Sequence, residues 1–142
     1  MTGVQDSSEL ETLKRVPLFA GLDRSDLAAV QQISRAVEFD PGAILIHQDE
    51  PGHHFFVVLN GEASVERDGV EINRLGEGDF FGEISLLSNR LTTAAVVTTT
   101  AVRVVMIAPA GFKQLLEELP SMQMKVIEAL ASRLPDEFYW QS

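Results

Sequence analysis

The feature that most restricts the fold is a series of short β-type runs in the middle of the chain, separated by turn residues. These runs occupy residues 43–47, 55–60, 63–67, 70–75 and 94–107. Such spacing is typical of an antiparallel barrel or sandwich. Asp68-Gly69 stands between two runs and predicts a tight hairpin turn. Residues 55–59 are apolar throughout, which predicts a strand buried on both faces.

Helical periodicity replaces this pattern at both ends of the chain. Asp23 can cap a helix whose apolar face holds Leu27, Val30 and Ile33. Pro109 suits a first helical turn, and residues 112–119 and 121–134 then carry apolar stripes. The order predicts one mainly β domain over residues 1–142. Its parts are N-terminal helices in 1–36, a β-barrel in 37–107, C-terminal helices in 108–134 and a tail in 135–142.

Charge and composition exclude several functions. The 142 residues carry 21 acidic and 11 basic side chains, a net charge of −10, and this field repels a nucleic-acid backbone. The chain has no cysteine and no apolar run of membrane-spanning length. Its N-terminus is polar and acidic, unlike a secretory signal. We therefore expect a cytoplasmic protein that binds neither nucleic acid nor membrane.

Metal and catalytic sites have no support in the sequence. His53 and His54 are adjacent, so on a strand their side chains point to opposite faces, and no third ligand stands at a suitable spacing. No nucleophile elbow or zinc-protease motif is present. We expect neither a metal nor an enzyme.

A glycine-rich segment carries the functional signal. Gly76, Gly78 and Gly82 are separated by one and three residues, which differs from the dinucleotide-binding fingerprint. Glu83 opens the short apolar segment 84–87, and the first amides of a helical segment suit a phosphate. A phosphate repels a carboxylate, so Glu83 makes chemical sense as an acceptor for ligand hydroxyls. This division of roles fits a sugar phosphate.

From Phe81 the segment continues as FGEISLL, and Ala94 and Val96 follow it. This pattern resembles the phosphate-binding cassette of the cyclic nucleotide-binding domain family. Pro41-Gly42, the 55–59 run and Gly61 resemble the early barrel of the same family, so the likeness covers roughly residues 17–134. It implies an antiparallel β jelly-roll barrel with flanking helices, in a regulatory domain that senses cyclic AMP or cyclic GMP.

The resemblance also implies roles for single residues. Glu83 would bind the ribose 2′-hydroxyl, and the amides of Gly82 and Ser85 would face ribose and phosphate. Thr93 would contact phosphate or base. The remaining candidates are wall residues Leu75 and Ile84, together with Phe81.

Two positions depart from the family pattern. The family's phosphate-binding arginine falls on Thr92, and Arg90 lies two positions earlier. Arg90 shares a face with Thr92 if the strand reaches back that far, and is a solvated charge if the chain turns first. Asp49 stands where the family usually has glycine.

Two functions remain open at this point. One is a non-catalytic cyclic nucleotide sensor of weakened affinity. The alternative is a degenerate domain that kept the fold, lost high-affinity ligand binding and acts as a protein-interaction module. The C-terminal helix over 121–134 is the expected surface for a protein partner or a second copy of the chain.

Overall fold

The computed structural model describes residues 11, 13–51, 54–82 and 91–141, with the backbone alone at 130 and 132–141. Within these residues, a 3₁₀ helix at Pro17–Phe19 and helix α1 at Arg24–Ile33 precede eight strands. The strands are β1 Ser34–Phe39, β2 Ile44–Ile46, β3 Phe55–Asn60, β4 Ala63–Arg67, β5 Val70–Leu75, β6 Phe80–Phe81, β7 Ala95–Thr98 and β8 Val102–Ile107. Helices α2 at Pro109–Glu118 and α3 at Pro120–Gln141 follow.

The strands form two four-stranded sheets, in the orders β1-β8-β3-β6 and β2-β7-β4-β5. Every pairing between the strands is antiparallel. The first strand pairs with the last, from Ser34 opposite Ile107 to Phe39 opposite Val102, which brings the two ends of the strand region together. Two facing antiparallel sheets of this kind form a jelly roll. The predicted fold class is confirmed.

Alternate residues of β3 enter two different cores. Phe55, Val57 and Leu59 pack with residues of the helices, whereas Phe56 and Val58 belong to the core between the two sheets. Because side chains alternate along a strand, covering both faces buries the whole run 55–59. The prediction of a strand buried on both faces is confirmed.

Two further local sequence features form the structures that were predicted for them, a helix cap and a hairpin turn. The carboxylate of Asp23 accepts a hydrogen bond from the amide of Asp26 at 2.8 Å and caps α1. Asp68 and Gly69 both have positive φ, 53° and 81°, as a two-residue hairpin between β4 and β5 requires.

Three boundaries differ from the predicted ones. The run 94–107 is divided into β7 and β8, because Glu62 holds the intervening turn: its carbonyl accepts from the amide of Thr99, and its amide donates to the hydroxyl of Thr100, both at 3.0 Å. Strand β1 begins at Ser34, ahead of residue 37. Helix α3 continues to Gln141, so the backbone of 135–141 is helical rather than a tail.

Candidate functional site

Gly82 fixes the point at which the candidate cassette begins. It follows β6 with a φ of 99°, in the left-handed region that glycine tolerates best. A Cβ at this position would lie 2.5 Å from the carbonyl oxygen of His54. The backbone of Gly82 therefore packs directly against the residue before β3, and a larger residue would push the two segments apart.

The other two glycines shape the turn between β5 and β6. Asp79 closes this turn on Gly76: its carboxylate accepts the Gly76 amide at 2.8 Å, and its amide donates to the Gly76 carbonyl at 3.0 Å. Gly78 has a φ of 90°, and its amide donates to the carbonyl of Val58 at 2.8 Å. These contacts make the turn a structural feature of the barrel.

Two predicted site residues lie in the core between the sheets. Leu75 and Phe81 are both buried there, and Phe81 stacks on Phe56 with ring centroids 4.8 Å apart. The predicted site residues Glu83, Ile84, Ser85 and Arg90 lie outside the described residues. Their roles stay predictions.

Thr92, at the position of the family arginine, is tied to the turn at 47–50. The residue is buried, with only 8% of its surface exposed. The hydroxyl donates to the carbonyl of His47 and accepts from the amide of Glu50 at 3.0 Å. The Thr92 amide donates to the Glu50 carbonyl, and its carbonyl accepts from the Asp49 amide, both at 2.8 Å. Because a hydroxyl has one proton to donate, this side chain already uses its proton within the protein.

The same arrangement recurs at Thr98, the last residue of β7. The hydroxyl of Thr98 donates to the carbonyl of Asp40 at 2.7 Å and accepts from the amide of Ala43 at 2.8 Å. Thr98 and Thr92 thus secure the turns on either side of β2 in the same way. The hydroxyl of Thr92 therefore holds the 47–50 turn, as that of Thr98 holds the turn before β2, and the predicted contact of Thr92 with a ligand stays a prediction.

A cavity of about 370 Å³ adjoins this turn. Part of its lining comes from the core between the sheets, including Phe39 and Phe56, and part is polar: His47, Glu50, His54 and Thr92. A mainly apolar space of this size with a few polar groups is typical of small-ligand sites. Gly82 packs on His54, and both His54 and Thr92 line the cavity.

Asp49 in the 47–50 turn has a φ of 63°, which explains why this position suits glycine. We expect Asp49→Val to lower the free energy of unfolding by about 1–2 kcal/mol, because a β-branched residue is strained in the left-handed region. Asp49→Gly is the control and should stay within about 0.5 kcal/mol of wild type. Urea denaturation measures both, and equal losses in the two variants would contradict this reading of the turn.

Arg67 is a site neighbour that the sequence analysis missed. Its Nε donates to the carbonyl of Thr93 at 3.0 Å. Glu66 lies opposite Ala95 in the β4–β7 pairing, so Arg67 is level with the residues that lead into β7. The contact follows from the pairing of β4 with β7. The sequence does not reveal this pairing, because Arg67 and Thr93 are 26 positions apart.

Within the described part of the chain, no three histidine, aspartate or glutamate side chains come together as metal ligands. Nor is any helix there long and apolar enough to cross a membrane.

The described residues thus form a jelly roll that carries helices on one sheet and has a cavity lined in part by the core between the sheets. The family model of the cyclic nucleotide-binding domain matches residues 36–119. This chain belongs to the cyclic nucleotide-binding domain family.

Curated relatives include the cAMP-dependent protein kinase regulatory subunits of Hypocrea atroviridis, 31% identical over 104 residues, and of Colletotrichum orbiculare, 34% identical over 106 residues. Each match covers 73% of this chain but only 22% and 27% of the relative. The chain therefore spans about a quarter of the length of these relatives.

Solved structures that share the fold include three protein kinase A regulatory subunits. The regulatory domain of Toxoplasma gondii protein kinase A with cAMP is 26% identical, with a TM-score of 0.76, covering 87% of this chain and 49% of that one. The regulatory subunit of a cAMP-independent protein kinase A from Trypanosoma cruzi, bound to guanosine, is 26% identical, with a TM-score of 0.79 and coverages of 95% and 48%.

The third structure is a triple variant of the regulatory subunit of a cAMP-independent protein kinase A from Trypanosoma brucei, bound to cAMP in its A site. One of its three substitutions replaces threonine by arginine. It is 27% identical, with a TM-score of 0.78, and covers 95% of this chain and 50% of that one.

Proposed function

We propose that this chain is a non-catalytic regulatory module that binds a cyclic nucleotide, cyclic AMP or cyclic GMP, beside the cavity between its sheets. The observation that carries the proposal is the anchoring of both ends of the candidate cassette at one place. Gly82 packs against His54, and Thr92 is bonded to the 47–50 turn, while His54 and Thr92 both line the cavity. The same ligand class is supported by a relative named as a cAMP-dependent protein kinase regulatory subunit and by a similar regulatory domain solved with cAMP.

We expect this chain to bind a cyclic nucleotide more weakly than family members that have the arginine. An arginine that forms a charge-assisted hydrogen bond to phosphate contributes roughly 1.5–3 kcal/mol, or about one to two decades in affinity. Thr92 carries no charge, and its hydroxyl proton is donated to His47. We expect only a modest preference between cyclic AMP and cyclic GMP. A protein partner, such as a kinase catalytic subunit, would receive the signal.

The proposal is tested by Glu83→Ala. We expect this variant to fold and to bind cyclic AMP about 10- to 100-fold more weakly than wild type, because the ribose hydroxyls lose a charged acceptor. Calorimetric titration gives the affinity. Thermal unfolding with and without ligand gives an independent readout, since a ligand that binds only the folded state raises the melting temperature.

Glu77→Ala is the matched control. Glu77 is an exposed glutamate in the turn between β5 and β6, so its loss changes the net charge equally. Its affinity for cyclic AMP should equal that of wild type. An unchanged affinity in a folded Glu83→Ala protein would show that the cassette is not the ligand site.

An uncharged nucleoside is a second candidate ligand. The internal bonds of the Thr92 hydroxyl favour it, because they leave this position without a donor for a phosphate. The cAMP-independent subunit from Trypanosoma cruzi holds guanosine, and the Trypanosoma brucei variant that holds cAMP has gained an arginine in place of a threonine. Titration with adenosine and guanosine beside cyclic AMP and cyclic GMP separates the two candidates. A chain that binds none of the four would be the degenerate, partner-binding domain.

A further inference from the structure

The cavity beside the 47–50 turn lies between the first sheet and β2. Phe39, Met106 and Phe56 line it from the neighbouring strands β1, β8 and β3, and residues 44–46 line it from β2. Its volume of about 370 Å³ is more than twice that of an engineered cavity of about 150 Å³ that holds benzene. The cavity is therefore large enough for a heterocycle of two fused rings.

The charge of the cavity lining decides which part of a nucleotide can enter it. The described residues that line the cavity include Glu50 but no lysine or arginine, and the chain carries a net charge of −10. A phosphate is repelled in such surroundings unless local cations or dipoles reverse the potential. An uncharged planar ring, by contrast, packs favourably against phenylalanine rings and a methionine side chain. The cavity therefore suits the base of a nucleotide and not its phosphate.

Glu50 places a hydrogen-bond acceptor at the opening of the cavity. Its amide donates to the Thr92 hydroxyl at 3.0 Å and its carbonyl accepts from the Thr92 amide at 2.8 Å, so the backbone at this residue is fixed. The residue is exposed, and its carboxylate forms no hydrogen bond or ion pair with the described residues. An ionised carboxylate only accepts hydrogen bonds, and the amino groups of adenine and guanine donate them. Glu50 can therefore hold the amino group of either base.

We infer that the cavity receives the purine base of the ligand and that Glu50 recognises this base through its amino group. The inference rests on the proposed binding of a cyclic nucleotide, and it names the part of the ligand that occupies the cavity. It also gives a physical reason for a modest preference between cyclic AMP and cyclic GMP, since both bases carry an amino group. Glu50 is then a specificity determinant for purines that have an amino group.

Glu50→Ala tests the role of the carboxylate in calorimetric titrations with two probes, cyclic AMP and the analogue in which hydrogen replaces the amino group of the base. We expect wild type to bind cyclic AMP about tenfold more tightly than the analogue, because the hydrogen bond to Glu50 is charge-assisted. In Glu50→Ala this preference should disappear. Both probes carry the same phosphate, so the change in net charge affects them equally. Glu77→Ala removes an exposed glutamate elsewhere and should keep the preference.

Ile44→Trp tests whether the base occupies the cavity. Ile44 lines the cavity from β2 and is 50% exposed, so a larger side chain can fill the opening without entering the core. We expect both probes to bind about tenfold more weakly, because the indole takes space that the base needs. Ile72→Trp is the matched control, since Ile72 lies on β5, is 46% exposed and is not part of the cavity lining. Its affinity for both probes should equal that of wild type, and thermal unfolding checks that each variant is folded.

Three outcomes would overturn the inference. Equal binding of the two probes by wild type, or an unchanged preference for cyclic AMP in folded Glu50→Ala, would mean that Glu50 does not recognise the amino group. An unchanged affinity in folded Ile44→Trp would place the base outside the cavity. These outcomes leave the proposed function standing, whereas a wild-type protein that binds neither probe would overturn both this inference and the proposed function.

Discussion

Thr92→Arg is expected to tighten cyclic AMP binding by about tenfold or more and to destabilise the unliganded protein. The gain follows from restoring an arginine where the family binds phosphate. The loss follows from the structure, because the Thr92 hydroxyl joins the His47 carbonyl to the Glu50 amide. Leaving these two groups without that hydroxyl should cost about 1–3 kcal/mol of unfolding free energy. The variant should therefore melt lower than wild type without ligand and gain more melting temperature when cyclic AMP is added.

Two controls separate the effects of charge and hydroxyl at this position. Thr92→Val keeps the shape of the side chain and removes the hydroxyl, so it should lose stability without gaining affinity. Thr92→Ser keeps the hydroxyl and should stay close to wild type in both measurements. If Thr92→Arg folds but binds cyclic AMP no more tightly, the phosphate does not lie at this corner, and the nucleoside or partner-binding function is favoured.

Phe55→Ala is expected to lower the free energy of unfolding by about 3–5 kcal/mol. Phe55 is completely buried between the first sheet and the helices, with its ring centroid 4.4 Å from Phe112 and 5.5 Å from Phe80. Removing the ring leaves a cavity where α2 packs on β3. Since small domains have about 5–15 kcal/mol of total stability, this one change removes a large share of it.

Chemical denaturation measures the loss, and Phe55→Leu provides a milder variant if the alanine protein does not fold. Val70→Ala is the control, because Val70 lies on β5 with 64% of its surface exposed, and its change should stay within about 0.5 kcal/mol. A loss at Phe55 as small as that at Val70 would contradict the packing of the helices on this sheet.

The cassette shows which features a local sequence pattern predicts and which it does not. The FGEISLL segment indicates the family, and the family model confirms it. The sequence also indicates that Thr92 replaces an arginine, but not that its hydroxyl is bonded to residues 47 and 50. Those contacts cross more than forty positions of the chain, with separations of 45 and 42. They exist because β2 and β7 are neighbours in one sheet.

Features set by neighbouring residues were determined by the sequence alone. The Asp23 cap, the Asp68-Gly69 hairpin and the doubly buried run 55–59 each depend on short-range backbone preferences or on side-chain alternation. The division of 94–107 into two strands was not predictable in this way. Threonine and valine favour strands throughout that run, and the turn is imposed by Glu62, which is 37 residues before Thr99.

Only the tertiary structure decided which distant residues lie next to Thr92 and Thr93. The order β2-β7-β4-β5 places the 47–50 turn on one side of Thr92 and Arg67 on the other side, at Thr93. Strand order depends on how two sheets close over a common core, and no local pattern in the sequence records it. The sequence therefore determined the kind of ligand to consider, while the pairing of distant strands decided that the Thr92 hydroxyl bonds within the protein, to residues 47 and 50.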